Sequence, residues 1–167
     1  SEVRLLELAG AYRAMASGVR ADPHVIARVT DSTGALLYEA PGPAGELPAG
    51  SLALIQEGLR GVIRLPGGTA HALAGREFPI PVMGKTGTTS EFRDALFVGS
   101  TYGPQGITVA VRIGFDDTRS LGNRETGGRT ALPIFREIMA RLYKDALVGS
   151  IPRFPRAMEE RIDAYLA

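Results

Sequence analysis

Apolar residues recur along this chain with two periods, and the change from one to the other divides it. Leu5, Leu8, Ala9, Tyr12, Met15 and Ala16 fall at helical spacing and Gly18 stops the run, which predicts an amphipathic helix packed by one face. Val25 to Thr30 and Ala35 to Glu39 flank Asp31-Ser32-Thr33-Gly34 and read as a hairpin. Residues 41 to 50 hold three prolines and three glycines and read as a loop. Ser51 is placed to cap a second helix, with Leu52, Ile55, Leu59, Val62 and Ile63 on one stripe and Pro66-Gly67-Gly68 at its end. A loop over residues 67 to 80 follows, with one helical turn at Thr69 to Ala74.

From Val82 the period drops to two. Val82 to Thr88 reads as a strand, with Pro79 and Pro81 at its start where a missing donor is tolerated. Leu96, Val98 and Ser100 alternate against Ala95, Phe97 and Gly99; Ile107, Val109, Val111 and Ile113 alternate against Thr108, Ala110 and Arg112. Tyr102-Gly103-Pro104-Gln105-Gly106 is a short connection, so these two strands are antiparallel neighbours. The expected sheet is a three-stranded antiparallel meander with Val82–Thr88 outermost. A helix with Thr130 as cap, Pro133 in its first turn and a stripe of Phe135, Ile138, Met139 and Leu142 comes next. Met158, Ile162, Tyr165 and Leu166 predict a last helix, with Pro155 in its first turn. The fold class is α+β: an antiparallel sheet packed with helices, plus a peripheral hairpin.

Length and composition narrow the function. A chain of 167 residues buries one ordinary core, so it is one domain or a large part of one. A net charge of +1, with acids and bases interspersed, argues against an electrostatic nucleic-acid binder. No apolar run approaches the length of a membrane span, and no signal peptide is expected. Zero cysteine removes disulfide and thiol chemistry. His24 and His71 stand far apart without partners at ligand spacing, so neither a metal nor any other cofactor is expected.

Candidate chemistry concentrates in Pro81-Val82-Met83-Gly84-Lys85-Thr86-Gly87-Thr88-Thr89. Lys85 is one of two lysines against 17 arginines. An ammonium among hydroxyls, on backbone that glycine leaves accessible, suits a substrate carboxylate or a developing oxyanion. Gly84-Lys85-Thr86 also ends a phosphate-loop pattern, but Pro79 occupies the position of its first glycine, and a strand rather than a helix follows. Asp116-Asp117 could pair for acid–base work; adjacent residues at a strand end point apart, so they read as a solvated loop. Gly127-Gly128 before a helix could bind an anion. Close packing of the helix start against the sheet is the preferred reading.

Gly84-Lys85-Thr86-Gly87-Thr88-Thr89, with Phe92 to Gly99, Ile113 to Asp117 and Leu121 to Phe135, resembles the corresponding runs of the class A, bifunctional penicillin-binding proteins. Glu2 to Tyr12 is similar to a helix of the same transpeptidase domain, so the matches run in one order across residues 1 to 147. The resemblance implies a partial β-lactamase/transpeptidase-like fold. It implies a D,D-transpeptidase that cross-links peptidoglycan stem peptides ending in D-Ala-D-Ala and is inhibited by β-lactams. The parent would carry an upstream glycosyltransferase and a membrane anchor, with this region on the periplasmic side of a bacterial inner membrane. By the same resemblance, Lys85 and Thr88 are catalytic: Lys85 supplies positive potential and aids proton transfer, and the Thr88 N–H is an oxyanion donor. Thr86, Gly87, Thr88 and Thr89 would bind substrate, and Arg93 would border the groove.

That mechanism needs a serine followed three residues later by lysine, and a Ser-x-Asn. None of the eight serines is followed by lysine at that spacing, and none has asparagine two positions on. The expectation is that both elements lie upstream of Ser1, that the chain is the C-terminal part of the domain with residues 150 to 167 as an extension, and that alone it is inactive. Its uncovered surfaces would pair with the upstream half or drive homo-oligomerisation. The alternative is a non-catalytic interaction module with a degenerate transpeptidase fold.

Overall fold

The computed structural model describes residues 3–166. Helix α1 (Leu5–Ser17) starts where the Arg4 N–H donates to the Glu7 carboxylate at 2.9 Å. It ends at Gly18, whose φ of 80° is left-handed and whose N–H closes on Ala14 O at 2.8 Å. Of the expected stripe only Ala16 is fully buried, and Leu5 is exposed. Strand β1 (Val19–Arg20) pairs antiparallel with β4 (Gly45–Glu46), inside the stretch expected to be loop. Two residues show no alternation, so a ladder this short is written only in backbone bonds such as Ala44 N–H to Arg20 O at 2.7 Å. Between them β2 (Arg28–Thr30) and β3 (Leu36–Glu39) form the expected hairpin. Its turn is tied by Asp31, which accepts from the Thr33 hydroxyl, the Thr33 N–H and the Ala35 N–H at 2.7–2.9 Å. These bonds, the Thr33 hydroxyl foremost, hold the Asp31 carboxyl below the usual range.

Helix α2 (Ala49–Arg64) corrects two expectations. It begins at Pro48, whose carbonyl accepts from the Leu52 N–H at 3.0 Å, so Ser51 lies inside the first turn and is not the cap. Its buried face is also rotated: Gln56, Arg60, Gly61 and Ile63 are buried, while Ile55 is exposed. Hydrophobic periodicity misses this because the buried polar groups are satisfied by distant backbone. Gln56 Nε2 donates to Met15 O at 2.8 Å, and Arg60 Nη1 donates to Val82 O at 2.7 Å. The turn expected at Thr69 to Ala74 is present as a single 3-10 turn, His71–Leu73.

The sheet is the expected meander. β5 (Met83–Thr88), β6 (Asp94–Ser100) and β7 (Thr108–Gly114) run antiparallel in the order β5-β6-β7. Phe97 and Val111 on one face pack with Ile63, Val82, Leu132, Phe135 and Met139 into the main core. Phe97 and Phe135 meet edge-on with centroids 4.7 Å apart. Gly84 admits this packing, since a Cβ there would lie 2.8 Å from the Phe97 ring and 2.5 Å from Val98 O. On the opposite face α1 is anchored by Arg13, which donates to Ser100 Oγ at 3.4 Å and to the Gly103 carbonyl.

A π-helical turn, Gly127–Ala131, leads into α3 (Leu132–Lys144). The Thr130 hydroxyl donates to Glu125 at 2.6 Å instead of capping, which corrects its expected role; Pro133 does sit in the first turn. Phe135 and Met139 are buried, Leu142 packs against the core, and Ile138 is exposed. Residues 151–155 add no strand to the sheet among the described residues. The last helix, α4 (Arg156–Ala164), follows Pro155, which precedes its first turn. Met158 and Ile162 are buried with Met83, Phe154 and Ala16 in a second core, while Tyr165 is exposed.

Arg60 joins α2, α4 and the start of β5. Its side chain is 9% exposed, pairs with Glu159 at 3.0 Å and lies 4.7 Å over the Phe154 ring. Burial pulls the guanidinium below its ordinary pKa, and Glu159 works against that pull. Glu159→Ala strands this buried cation. A fully buried pair would lose about 3–5 kcal/mol. Because Glu159 is a quarter exposed, the expected loss is about 2 kcal/mol in denaturant unfolding. An unchanged midpoint would show that Arg60 is satisfied by Val82 alone.

Candidate functional site

Among the described residues β5 is an outer strand with one unpaired edge, and the ladder decides which backbone groups face it. The Thr89 N–H donates to Asp94 O at 3.1 Å. Along an antiparallel strand such bonds alternate, so Gly87, Lys85 and Met83 bond to β6 while Thr88, Thr86 and Gly84 turn their N–H and C=O groups outward. The register Lys85↔Val98, Thr86↔Phe97, Gly87↔Leu96 and Thr88↔Ala95 sorts the side chains as well. Lys85 and Gly87 share the α1 face of the sheet; Thr86 and Thr88 share the α3 face.

The exposed Lys85 side chain turns back along the edge. Nζ donates to Thr86 O at 3.0 Å and reaches Thr86 Oγ1 at 3.4 Å. It makes no ion pair among the described residues, so an open cation stands beside the outward-facing amides. Thr86 Oγ1 lies 2.7 Å from Thr69 Oγ1. Thr88 Oγ1 accepts from the Gly127 N–H at 3.1 Å. Thr88 Oγ1 therefore has an acceptor position filled and keeps a proton able to serve an anion, whereas either hydroxyl of the Thr69–Thr86 pair can be the donor. Thr89 plays a different part. Its hydroxyl accepts from the Asp94 N–H at 2.7 Å and closes the β5–β6 turn. Arg93 pairs with Glu91, at 3.1 Å through Nε, and the Glu91 carbonyl is held by the Ser120 hydroxyl at 2.6 Å.

One neighbour of the site escaped the sequence reading. Thr69 lies 17 residues before Thr86, in a loop without periodicity. Gly127-Gly128 were read as a packing device, and the geometry agrees. A Cβ on Gly127 would lie 2.1 Å from Leu96 O and 2.5 Å from Gly87 O; one on Gly128 would lie 2.8 Å from Thr69 O. After Thr89 the chain makes a short 3-10 turn, Ser90–Phe92, and enters β6, so the helix a phosphate loop requires is absent from this position. Asp116 and Asp117 are exposed in a loop, where Asp117 faces Arg119 at 3.6 Å. No cluster of potential metal ligands occurs among the described residues.

The sequence model of the penicillin binding protein transpeptidase domain matches residues 2–140. The chain is 35% identical over 147 residues to penicillin-binding protein 1A of Aquifex aeolicus, covering 85% of this chain and 19% of that protein. It thus spans about a fifth of the length of such relatives. Its fold matches the crystal structure of penicillin-binding protein 1A from Haemophilus influenzae with a TM-score of 0.67 and 25% identity, over 92% of this chain and 28% of the other. It also matches the PonA1 protein of Mycobacterium tuberculosis in complex with penicillin V, with a TM-score of 0.64 and 27% identity, over 91% of this chain and 40% of the other. With α1, the meander and the Lys85 strand all inside the matched region, the chain belongs to the penicillin-binding protein transpeptidase domain family.

Proposed function

We propose that these residues are the C-terminal part of the transpeptidase domain of a bifunctional peptidoglycan synthase, and that they form the Lys-Thr-Gly wall of its active site. The observation that carries this reading is the open edge of β5, where the Lys85 ammonium lies beside outward-facing amides. The nucleophilic serine belongs to sequence outside these residues, as do the Ser-x-Asn element, the glycosyltransferase and the membrane anchor. No described helix is long and apolar enough to cross a membrane.

In this reading a stem peptide ending in D-Ala-D-Ala lies along β5 as an added strand. The Thr86 and Thr88 hydroxyls donate to its terminal carboxylate, and Gly87 and Thr89 border the path. The serine loses its proton to its partner lysine as its oxygen bonds to the penultimate carbonyl carbon. The Thr88 N–H and the serine's own N–H hold the oxyanion, and one such donor is worth about 10²–10³ in rate. Lys85 stabilises the same charge and aids the proton's passage to the departing D-alanine as the peptide bond breaks. An acceptor amine then bonds to the ester carbonyl carbon, the serine–acyl bond breaks, and the amine's proton returns through the lysine to the serine oxygen, which completes the cross-link. A β-lactam enters by the same contacts. The work is extracytoplasmic and needs no cofactor, metal or nucleic acid.

The free edge of β7 and the exposed Val3, Leu5 and Leu6 of the α1 region would be covered by the upstream half of the domain, or by a second copy when that half is missing. Light scattering showing a well-folded monomer of the 167-residue chain would count against that covering. Labelled penicillin is expected to leave this chain unmodified and to attach to the protein extended upstream through a Ser-x-x-Lys. A covalent adduct on the short chain would contradict the proposal.

A further inference from the structure

We infer that Thr69 is a positioning residue for the substrate carboxylate, acting through the hydroxyl of Thr86. The inference deepens the proposed function and rests on it. Thr69 sits in the loop after α2, and its Oγ1 lies 2.7 Å from Thr86 Oγ1. Distance alone leaves the direction of this bond open; the hydroxyl's inventory decides it. A threonine hydroxyl has one proton and two acceptor positions. Lys85 Nζ, which only donates, reaches Thr86 Oγ1 at 3.4 Å. A bound carboxylate only accepts, so Thr86 must direct its proton to it. The Thr69 hydroxyl then has one role left, which is to donate into the remaining acceptor position of Thr86. With Lys85 and Thr69 both donating to it, the Thr86 proton can point only toward the anion.

The surroundings hold Thr69 in place for this task. Its carbonyl abuts Gly128, where any Cβ would lie 2.8 Å away, and the same Cβ would touch Thr86 Cγ2 at 3.8 Å. The neighbouring Ala70 is fully buried, and its N–H reaches Val62 O at 3.4 Å. The loop is therefore pressed between α2 and the Gly127-Gly128 turn, with the Thr69 side chain against β5. Nothing about Thr69 reaches the reacting atoms, so its effect falls on carboxylate recognition and leaves the chemical step alone.

The test uses the upstream-extended protein with benzylpenicillin and its methyl ester as paired probes. Thr69→Val keeps the shape and removes the donor, while Thr69→Ser keeps the donor. Thr69→Val is expected to lower the second-order acylation rate constant for benzylpenicillin about 10-fold. The loss falls in the binding constant, with the limiting acylation rate and the melting temperature unchanged. The ester, with no anion to receive the Thr86 proton, is expected to react with wild type and variant alike. Thr69→Ser is expected to restore the wild-type constant. A loss equal for acid and ester, or no loss at all, overturns the role of Thr69. Thr86→Val separates this from the broader reading. If that variant also acylates normally, the assignment of β5 as the carboxylate-binding strand fails, and Thr69 with it.

Discussion

In a protein extended upstream to include the proposed serine, Lys85→Ala is expected to slow acylation by benzylpenicillin about 10²–10⁴-fold while the melting temperature stays put. The two halves of that result come from different facts. Lys85 is exposed, and its ammonium touches only its neighbour's carbonyl and hydroxyl, so the fold loses almost nothing with it. Surface substitutions of this kind stay within about 0.5 kcal/mol. The rate suffers because the cation beside the outward-facing amides is gone, and charge developing on the carbonyl oxygen loses its partner. Lys85→Arg keeps the charge but replaces a compact ammonium with a planar fork, so it is expected to recover only part of the rate. Stopped-flow acylation with a fluorescent penicillin measures both. Near-normal rates in Lys85→Ala would mean that β5 is not the catalytic wall.

Gly127→Ala is expected to cost about 3 kcal/mol or more of stability, read as a fall in the unfolding midpoint. The added methyl would sit 2.1 Å from Leu96 O and 2.5 Å from Gly87 O. Both are backbone oxygens of one β5–β6 pair, so neither can swing aside as a side-chain tip would. Relief requires the π-helical turn to move off the sheet, which also breaks the Gly127 N–H bond to Thr88 Oγ1. Acylation of the longer protein should fall along with stability. Gly58→Ala is the control, since Gly58 is exposed in the middle of α2 with nothing within 4 Å of the added Cβ. It is expected to stabilise by about 0.5–1 kcal/mol, the ordinary helix preference for alanine. A Gly127→Ala protein as stable as wild type would remove the reason given for the glycine pair.

The meander was readable from sequence because strand alternation and the short Tyr102–Gly106 connection both specify it, and the β5–β6–β7 register follows from them. The Lys85 strand was readable for a different reason: prolines at its start left only an edge position open to it. What was not readable shares one cause. The burial of Gln56 and Arg60, the contact of Thr69 with Thr86 and the seat of Gly127 against Leu96 are made by polar or glycine positions and partners far along the chain. Apolar periodicity carries no trace of them. Ser51 and Thr130 fit the residue preferences for helix caps, yet Pro48 and the π-helical turn set those helix starts through backbone geometry. The role of α4 could not be seen either, since only the fold brings Glu159 to Arg60.

In the proposed function the open edge of β5 and its lysine receive the ligand's carboxylate and oxyanion, while the reacting hydroxyl comes from elsewhere in the protein. A crystal structure of the upstream-extended protein acylated by benzylpenicillin tests this directly. The expected structure has an ester on a serine outside the 167 residues, its carbonyl oxygen on the Thr88 N–H, and the carboxylate about 2.6–3.2 Å from the Thr86 and Thr88 hydroxyls. A ligand bound away from the free edge of β5, or acyl attachment to any residue of this chain, would contradict it.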